Sequence, residues 1–269
     1  MIISFTKMNG AGNDFVVLDN RDLAYSLTKE QIAHLCDRHR GVGADGLLAA
    51  EPSEGEADFR FRYYNADGGE AEMCGNGARC FGRFTASLLP TEAEVISFET
   101  IAGVLSAKIV DSDIEVAMSD PFDITMETPV EIEGLTGPVR SMNTGVPHAV
   151  AFVEDLENTD VLAFGSAIRH HEHFSPSGTN TNFAQVLAPN HIAIRTYERG
   201  VEDETLACGT GMVACALFHH LLTGAPSPIK VDVKGGVTLE IGFAKEGEKF
   251  TDVTLTGPAE VTFTGEIEI

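Results

Sequence analysis

The sequence predicts an α+β protein of two pseudo-symmetric domains, each a set of strands gathered round one central helix. Three observations predict it. Near-identical loops, Cys74-Gly75-Asn76-Gly77 and Cys208-Gly209-Thr210-Gly211, stand in opposite halves of the chain. Each opens into an apolar, helix-compatible run that carries a second cysteine, Cys80 or Cys215. Round each run the same order of elements recurs: strands, a turn, the cysteine loop, the helix, then short strands. We read this order as an internal duplication; outside the loops the two halves share little identity, so the reading rests on the order of elements.

In the first half, Ile2 to Phe5 reads as a strand, followed by the Gly-rich turn Asn9 to Asp14 and a second strand, Phe15 to Leu18. Thr28 is a candidate N-cap for a helix through Ile32, Leu35 and Cys36, and Gln31 completes a capping box. The alternation Phe59-Arg60-Phe61-Arg62-Tyr63-Tyr64 predicts a strand that ends at the turn Asn65-Ala66-Asp67-Gly68-Gly69. Phe81, Phe84 and Leu88 predict one buried helix face that stops near Pro90. Short strands follow from Val95 to Met118, and the linker falls near Asp120-Pro121.

The second half repeats the order. Ala149 to Val153, Phe183 to Leu187 and His191 to Tyr197 read as strands before the second cysteine loop. The run Met212 to Leu222 is apolar on nearly every face, which predicts a helix enclosed by protein; Gly224 and Pro226 end it. Val231, Leu239 to Phe243 and Val253 to Leu255 supply the closing strands.

Composition bounds the function. With 269 residues, 43% of them hydrophobic and 22% charged, the chain is long enough for two ordinary folded domains. A net charge of −23 argues against a nucleic-acid partner, which needs basic patches. No apolar stretch approaches the roughly 20 residues of a membrane span, and the N-terminus lacks a signal peptide's pattern. A cytoplasmic location and no membrane partner are therefore expected. An anionic substrate must be held by local dipoles and a few placed cations, because the overall field repels it. The assembly state is left open between a monomer and a homodimer.

Five cysteines, with no Cys-x-x-Cys pair and no zinc-like spacing, predict thiols rather than a metal site or a disulfide framework. A cysteine at a helix start meets the positive end of the dipole and unpaired N–H groups, which favour a thiolate and bind a carboxylate. Two such loops facing one another would set two thiols across one anionic substrate. Removing the proton alpha to an amino-acid carboxylate usually calls for an electron-sink cofactor. Without a cofactor it needs a base on one face of the carbon, an acid on the other, and strong stabilisation of the developing enolate. Paired thiols fit, since a thiol with a pKa of about 8.5 can be tuned down to work near neutrality. Cys36, Cys80 and Cys215 fall inside helices and read as packing residues.

Gly10-Ala11-Gly12-Asn13-Asp14-Phe15, Asn65-Ala66-Asp67-Gly68, the run Met73 to Cys80, Tyr197-Glu198-Arg199-Gly200 and Ala207 to Gly211 together resemble the diaminopimelate epimerase family. The segments stand in that family's order and span nearly the whole chain. The resemblance implies in each domain a mixed, mostly antiparallel, β-barrel-like sheet wrapped round the helix. It implies a first half of residues 1–118 joined by the tail 263–269, and a second half of 119–262. The implied reaction is cofactor-independent epimerisation of LL-diaminopimelate to the meso form, with Cys74 and Cys208 as acid and base. Gly75, Asn76, Gly209 and Thr210 would hold the reacting carboxylate. Asn13, Asn65, Asn180 and Arg199 would bind the distal amino-acid end, and Glu198 and His148 would stand by the reacting centre. No metal and no cofactor are implied.

Two positions depart from the family's commonest pattern. Val146 replaces an asparagine in Gly145-Val146-Pro147-His148, and Gly46 stands where some members carry glutamine after Asp45. A racemase of another amino acid and a non-catalytic diamino-acid-binding protein remain as alternatives. Solvent-deuterium uptake at the alpha carbon separates the binding protein from the enzymes. Gly41-Val42-Gly43-Ala44-Asp45-Gly46 matches a dinucleotide fingerprint, but lacks the strand before and helix after that the motif requires. His170, His171 and His173 read as a solvated loop, and His219 and His220 as packing residues with one satisfied nitrogen.

Overall fold

In a computed structural model, which describes residues 1–71, 74–90, 93–101 and 103–269, the chain divides into two units. One is Met1–Ala117 with Gly257–Ile269, and the other is Met118–Thr256. Met73, part of the motif that carries the family resemblance, lies outside the described residues.

The first unit starts with β1 (Ile2–Gly10) and β2 (Asn13–Asp19), both longer than the sequence suggests because the Gly-rich turn is tight. Then come α1 (Lys29–Cys36), β3 (Gly46–Glu51), β4 (Phe59–Asn65) and β5 (Glu70–Ala71). The predicted capping box closes α1, with Gln31 N donating to Thr28 Oγ1 (3.3 Å) and Thr28 N to Gln31 Oε1 (2.9 Å). The dinucleotide-like glycines run from α1 into β3, a strand. The alternation in β4 sends Phe59 and Phe61 into the core and leaves Arg60 and Arg62 partly solvated.

Next come α2 (Gly75–Ala86), β6 (Val95–Thr100), β7 (Gly103–Val110) and β8 (Asp113–Ala117). Strands surround α2, which packs on β1 to β4 and β6 to β8. Phe81 stands edge-on to Phe61 (4.8 Å) and Phe98 (5.1 Å). The helix stops at Ala86, so Leu88 packs on this core from the turn beyond it rather than from the predicted helical face.

In the second unit β9 (Phe122–Thr125), β10 (Val139–Asn143) and β11 (Pro147–Phe152) precede α3 (Val161–Arg169). The sequence reading passed over α3, although Asp160 caps it by accepting from Ala163 N at 3.0 Å. A short 3-10 turn, Glu172–Phe174, carries the exposed His173; the partly buried His171 is its N-cap and the exposed His170 precedes it. The remaining elements are β12 (Asn180–Ala188), β13 (His191–Glu198), β14 (Asp203–Thr205), α4 (Gly209–Thr223), β15 (Ile229–Val233), β16 (Thr238–Glu246) and β17 (Lys249–Pro258). As its all-round apolarity predicts, α4 is enclosed: every residue from Gly211 to His219 is buried. His219 and His220 each give one ring nitrogen a carbonyl partner, Pro189 O (2.8 Å) and Ala225 O (2.7 Å).

The pairing order supports the duplication. From β1 through β8, neighbours pair antiparallel (β1–β2), parallel (β2–β3), antiparallel (β3–β4, β4–β5), parallel (β4–β6), then antiparallel (β6–β7, β7–β8). From β10 through β17 the same series recurs: β10–β11 antiparallel, β11–β12 parallel, β12–β13 and β13–β14 antiparallel, β13–β15 parallel, then β15–β16 and β16–β17 antiparallel. The strand β18 (Glu260–Glu268) returns to pair with β1. Among the described residues no helix is long and apolar enough to cross a membrane.

Candidate active site

Cys74 is the N-cap of α2, with extended backbone (φ −141°, ψ 120°), and its carbonyl accepts from Ala78 N at 2.7 Å. Its Sγ accepts from Gly77 N at 3.5 Å, as a capping oxygen would. The N–H groups of Gly75 and Asn76 lie in the first turn, where the helix offers them no acceptor. The Asn76 side chain is buried and tied on both sides. Its Nδ2 donates to Asn13 Oδ1 (2.5 Å), and its Oδ1 accepts from Arg79 Nη2 (2.9 Å).

Asn13 in turn donates to Asp45 Oδ2 at 3.0 Å. Asp45 belongs to a charge cluster in which Arg38 bridges it to Asp14, each at 2.7 Å, and Lys7 Nζ lies 2.7 Å from Asp14. Burial pushes the Asp14 carboxyl up, but Arg38 and Lys7 outweigh it and hold it down at about 2. Asn65 stands exposed at the end of β4, and its Oδ1 accepts from Tyr63 OH at 2.8 Å. A Cβ at Gly46 would lie 2.6 Å from Tyr64 O and 2.8 Å from Tyr63 Cε2, so this backbone has no room for a side chain there. The Tyr63 ring fills that side of the turn instead.

In the second unit Cys208 caps α4 with a similar backbone (φ −127°, ψ 109°), and its carbonyl accepts from Met212 N at 2.9 Å. Its Sγ lies 3.6 Å from Thr210 Oγ1. Thr210 Oγ1 is 2.8 Å from His148 Nε2, and Thr210 O accepts from Thr144 Oγ1 at 3.0 Å. His148 Nδ1 is 3.0 Å from Asn182 Nδ2, which also donates to Ala149 O at 3.0 Å.

A carbonyl only accepts, so the Asn182 nitrogen must face it. That orientation makes His148 Nδ1 an acceptor and puts the ring proton on Nε2. Nε2–H therefore donates to Thr210 Oγ1, which leaves the threonine hydroxyl proton to turn towards Cys208 Sγ. Burial, aided by the positive charge of Arg199, pushes His148 down to about 3, so the ring is neutral near pH 7. A Cβ at Gly211 would lie 2.3 Å from Asn182 Oδ1; only glycine lets α4 come this close to the amide.

Asn180 neighbours His148 across β11–β12, and its Oδ1 accepts from Arg199 N at 2.8 Å. The Arg199 guanidinium touches Ser177 O at 3.5 Å. Glu198 ends β13, and burial raises its carboxyl above the usual range. Beside Val146, the Asn143 side-chain oxygen accepts from Gly145 N at 2.9 Å, so that end of its amide serves its own loop.

Of the residues singled out from the sequence, the structure joins Asn13, Gly75, Asn76 and Cys74 in one cluster, and His148, Thr210, Gly209 and Cys208 in another. Asn180 and Arg199 pair with each other. Among the described residues the Asn65 side chain pairs with Tyr63 rather than with a cysteine loop. Sequence reasoning missed Arg79, Asp45, Asn182 and Thr144. One signal was present for Arg79: no acidic residue occurs in Gly75–Ala86 to pair with it along the helix.

Comparison with known proteins agrees over the whole length. Residues 5–122 and 140–262 match the family described as diaminopimelate epimerase. The diaminopimelate epimerase of Chlorobaculum tepidum is 42% identical, over 97% of this chain and 100% of the relative. That of Aquifex aeolicus is also 42% identical, over 98% of each. Among solved structures, a Bacillus anthracis phenazine biosynthesis protein of the PhzF family superposes with a TM-score of 0.73 over 100% of both chains at 18% identity. A hydroxyproline epimerase from Agrobacterium vitis gives 0.70 at 14% identity, over 99% of this chain and 92% of its own. At these identities the two structures speak for the fold alone.

Proposed function

The chain belongs to the diaminopimelate epimerase family, and from that premise we propose that it converts LL-diaminopimelate to the meso form by proton transfer through Cys74 and Cys208. The reaction class follows from membership: the protein is an isomerase that epimerises diaminopimelate. The proposal concerns how it does so. One observation carries it: each cysteine caps a helix start whose first N–H groups suit a carboxylate, and each has a distinct polar chain behind it.

In the proposed step one thiolate takes the alpha proton from one face while the other thiol delivers a proton to the opposite face. The electron pair passes briefly onto the substrate carboxylate as an enolate, and no net oxidation occurs. The two sulfurs end with exchanged protonation states. Gly75 and Asn76, with Gly209 and Thr210, supply N–H groups to the carboxylate as its charge grows. The neutral His148 orients Thr210 instead of delivering a proton. Glu198 receives the substrate ammonium. Arg199, Asn180, Asn13 and Asn65, with the Tyr63 hydroxyl beside Asn65, take the distal amino-acid end. The product then serves lysine and peptidoglycan precursor synthesis in the cytoplasm, and gel filtration tests the homodimer.

Exchange of the alpha proton in deuterated buffer tests the mechanism. Cys74→Ala and Cys208→Ala should each abolish epimerisation of LL-diaminopimelate. Unimpaired epimerisation by either variant would overturn the paired-thiol reading. Turnover of proline or glutamate in preference to diaminopimelate would overturn the assigned distal contacts.

A further inference from the structure

Arg79 is the largest fully buried side chain of the protein, at 0% exposure. A guanidinium cannot shed its charge in the working pH range and is costly to bury unless an anion answers it. Among the described residues no salt bridge answers it. All three of its hydrogen-bonding nitrogens go to neutral oxygens. Nη2 donates to Asn76 Oδ1 (2.9 Å), Nη1 makes a long contact with Gly75 O (3.5 Å), and Nε reaches Pro258 O (3.4 Å). Two of these oxygens belong to the first turn of the helix that Cys74 caps.

Among the described residues, the acidic groups whose charge reaches the guanidinium are the Cys80 and Cys74 thiols of α2 and the Asp113 carboxyl of β8. Cys80 is buried, and that burial pushes its thiol up to about 12, so it stays protonated. Asp113 stands at the start of β8 and is partly solvated, which weakens its hold on the cation. Cys74, half-buried at the helix start, is the group placed to become the counter-charge.

We propose that Arg79 is a positioning residue of the epimerase, which locks the Asn76 amide between itself and Asn13 and supplies the buried positive charge against which Cys74 becomes a thiolate. The proposal rests on Cys74 being an acid–base residue. Two consequences follow from the geometry. With its oxygen taken by Arg79, the Asn76 amide must present nitrogen to Asn13, so one side chain sets the orientation of two proposed substrate contacts. In the second loop Cys208 faces a threonine hydroxyl steered by a neutral ring. With the Arg79 guanidinium buried behind its helix start, Cys74 is the resting thiolate of the pair.

The test uses the full-length protein carrying Cys208→Ala, with alkylation of Cys74 by iodoacetamide followed against pH. This readout needs no turnover, so it stands even if the paired-thiol mechanism fails, whereas Cys74→Ala in the parent enzyme tests that mechanism by itself. Arg79→Met should slow Cys74 alkylation at pH 7 by about tenfold, the effect of one unit of displaced titration, and move the profile to higher pH. Arg79→Lys keeps the charge but not the fork, so it should hold the profile while raising KM for diaminopimelate several-fold in the enzyme with both cysteines. A folded Arg79→Met with an unchanged alkylation profile overturns the proposal. Should Arg79→Met fail to fold, Arg79→Lys decides: a raised KM with the profile held supports it, and an unchanged KM or a profile displaced by tenfold overturns it.

Discussion

Cys74 and Cys208 begin their helices with nearly the same backbone, φ −141° and ψ 120° against φ −127° and ψ 109°. Behind Cys74 stands a fully buried guanidinium, joined through Asn76 to Asn13. Behind Cys208 stands a buried imidazole, held neutral and joined through Thr210 to the thiol. The backbone of the cysteine loop, with its glycines and helix-start N–H groups, is common to both halves. The side chains behind it are the part that diverged. The proposed acid and base need the same access to a carboxylate but opposite electrostatic support, and the difference between the two clusters is what the proposal draws on.

The broadest way to break the comparison is to remove either sulfur. Cys74→Ala and Cys208→Ala should each lower kcat/KM by roughly a thousandfold or more, since a positioned acid or base contributes about that much. A large loss in one variant and a small one in the other would mean that a single thiol does both jobs. Next in size is Asn182→Leu, which strips partners from His148 Nδ1, Ala149 O and Thr196 Oγ1. Stability should fall by about 2–3 kcal/mol, the cost of orphaned buried groups, and kcat by tenfold or more as Thr210 loses its steering. Urea unfolding and steady-state assays check both, and Cys74 alkylation should not change.

A smaller effect separates the neutral cluster by pH. The folded protein refuses a proton at His148 down to about pH 3, while the unfolded chain takes it up near pH 6.5. Between those values the unfolded state binds more protons, so stability falls as pH falls, by up to about 1.4 kcal/mol per pH unit. His148→Gln should flatten that slope in a melting-temperature series. Parallel profiles for the two proteins would contradict the buried neutral ring. Asp14, held at about 2, adds a separate loss only as pH falls below the usual carboxylate range. Smallest of all, Tyr63→Phe should raise KM for diaminopimelate a few-fold with kcat nearly unchanged, because it removes one hydroxyl from Asn65.

Much of this architecture is legible in the amino-acid sequence. Both cysteine loops, the capping box at Thr28 and the enclosed helix after Cys208 carry local signals, and local physics decides them. Leu88 was misassigned because helical spacing continues in the sequence past the point where the Ser87 hydroxyl turns back to Phe84 O. Arg79 was missed because its burial depends on distant chain: the Pro258 carbonyl it meets lies 179 residues away. Asn182 was missed for a similar reason, since His148 and Ala149 reach it across a parallel strand pair. Polar residues in an apolar run state that they need partners, but not which ones. The Tyr63 ring beside Gly46 shows the same limit, because strand register put them together.

The asymmetry of the two thiols is tested most directly by titrating each alone, Cys74 in Cys208→Ala and Cys208 in Cys74→Ala, by iodoacetamide alkylation against pH. Burial pushes the Cys36 and Cys80 thiols up to about 12 and Cys215 well above the usual range, so the three stay silent in the assay. Cys74 should alkylate at lower pH than Cys208, with about a tenfold rate advantage at pH 7. Coincident profiles, or Cys208 reacting at the lower pH, would contradict the division into a resting thiolate and a resting thiol.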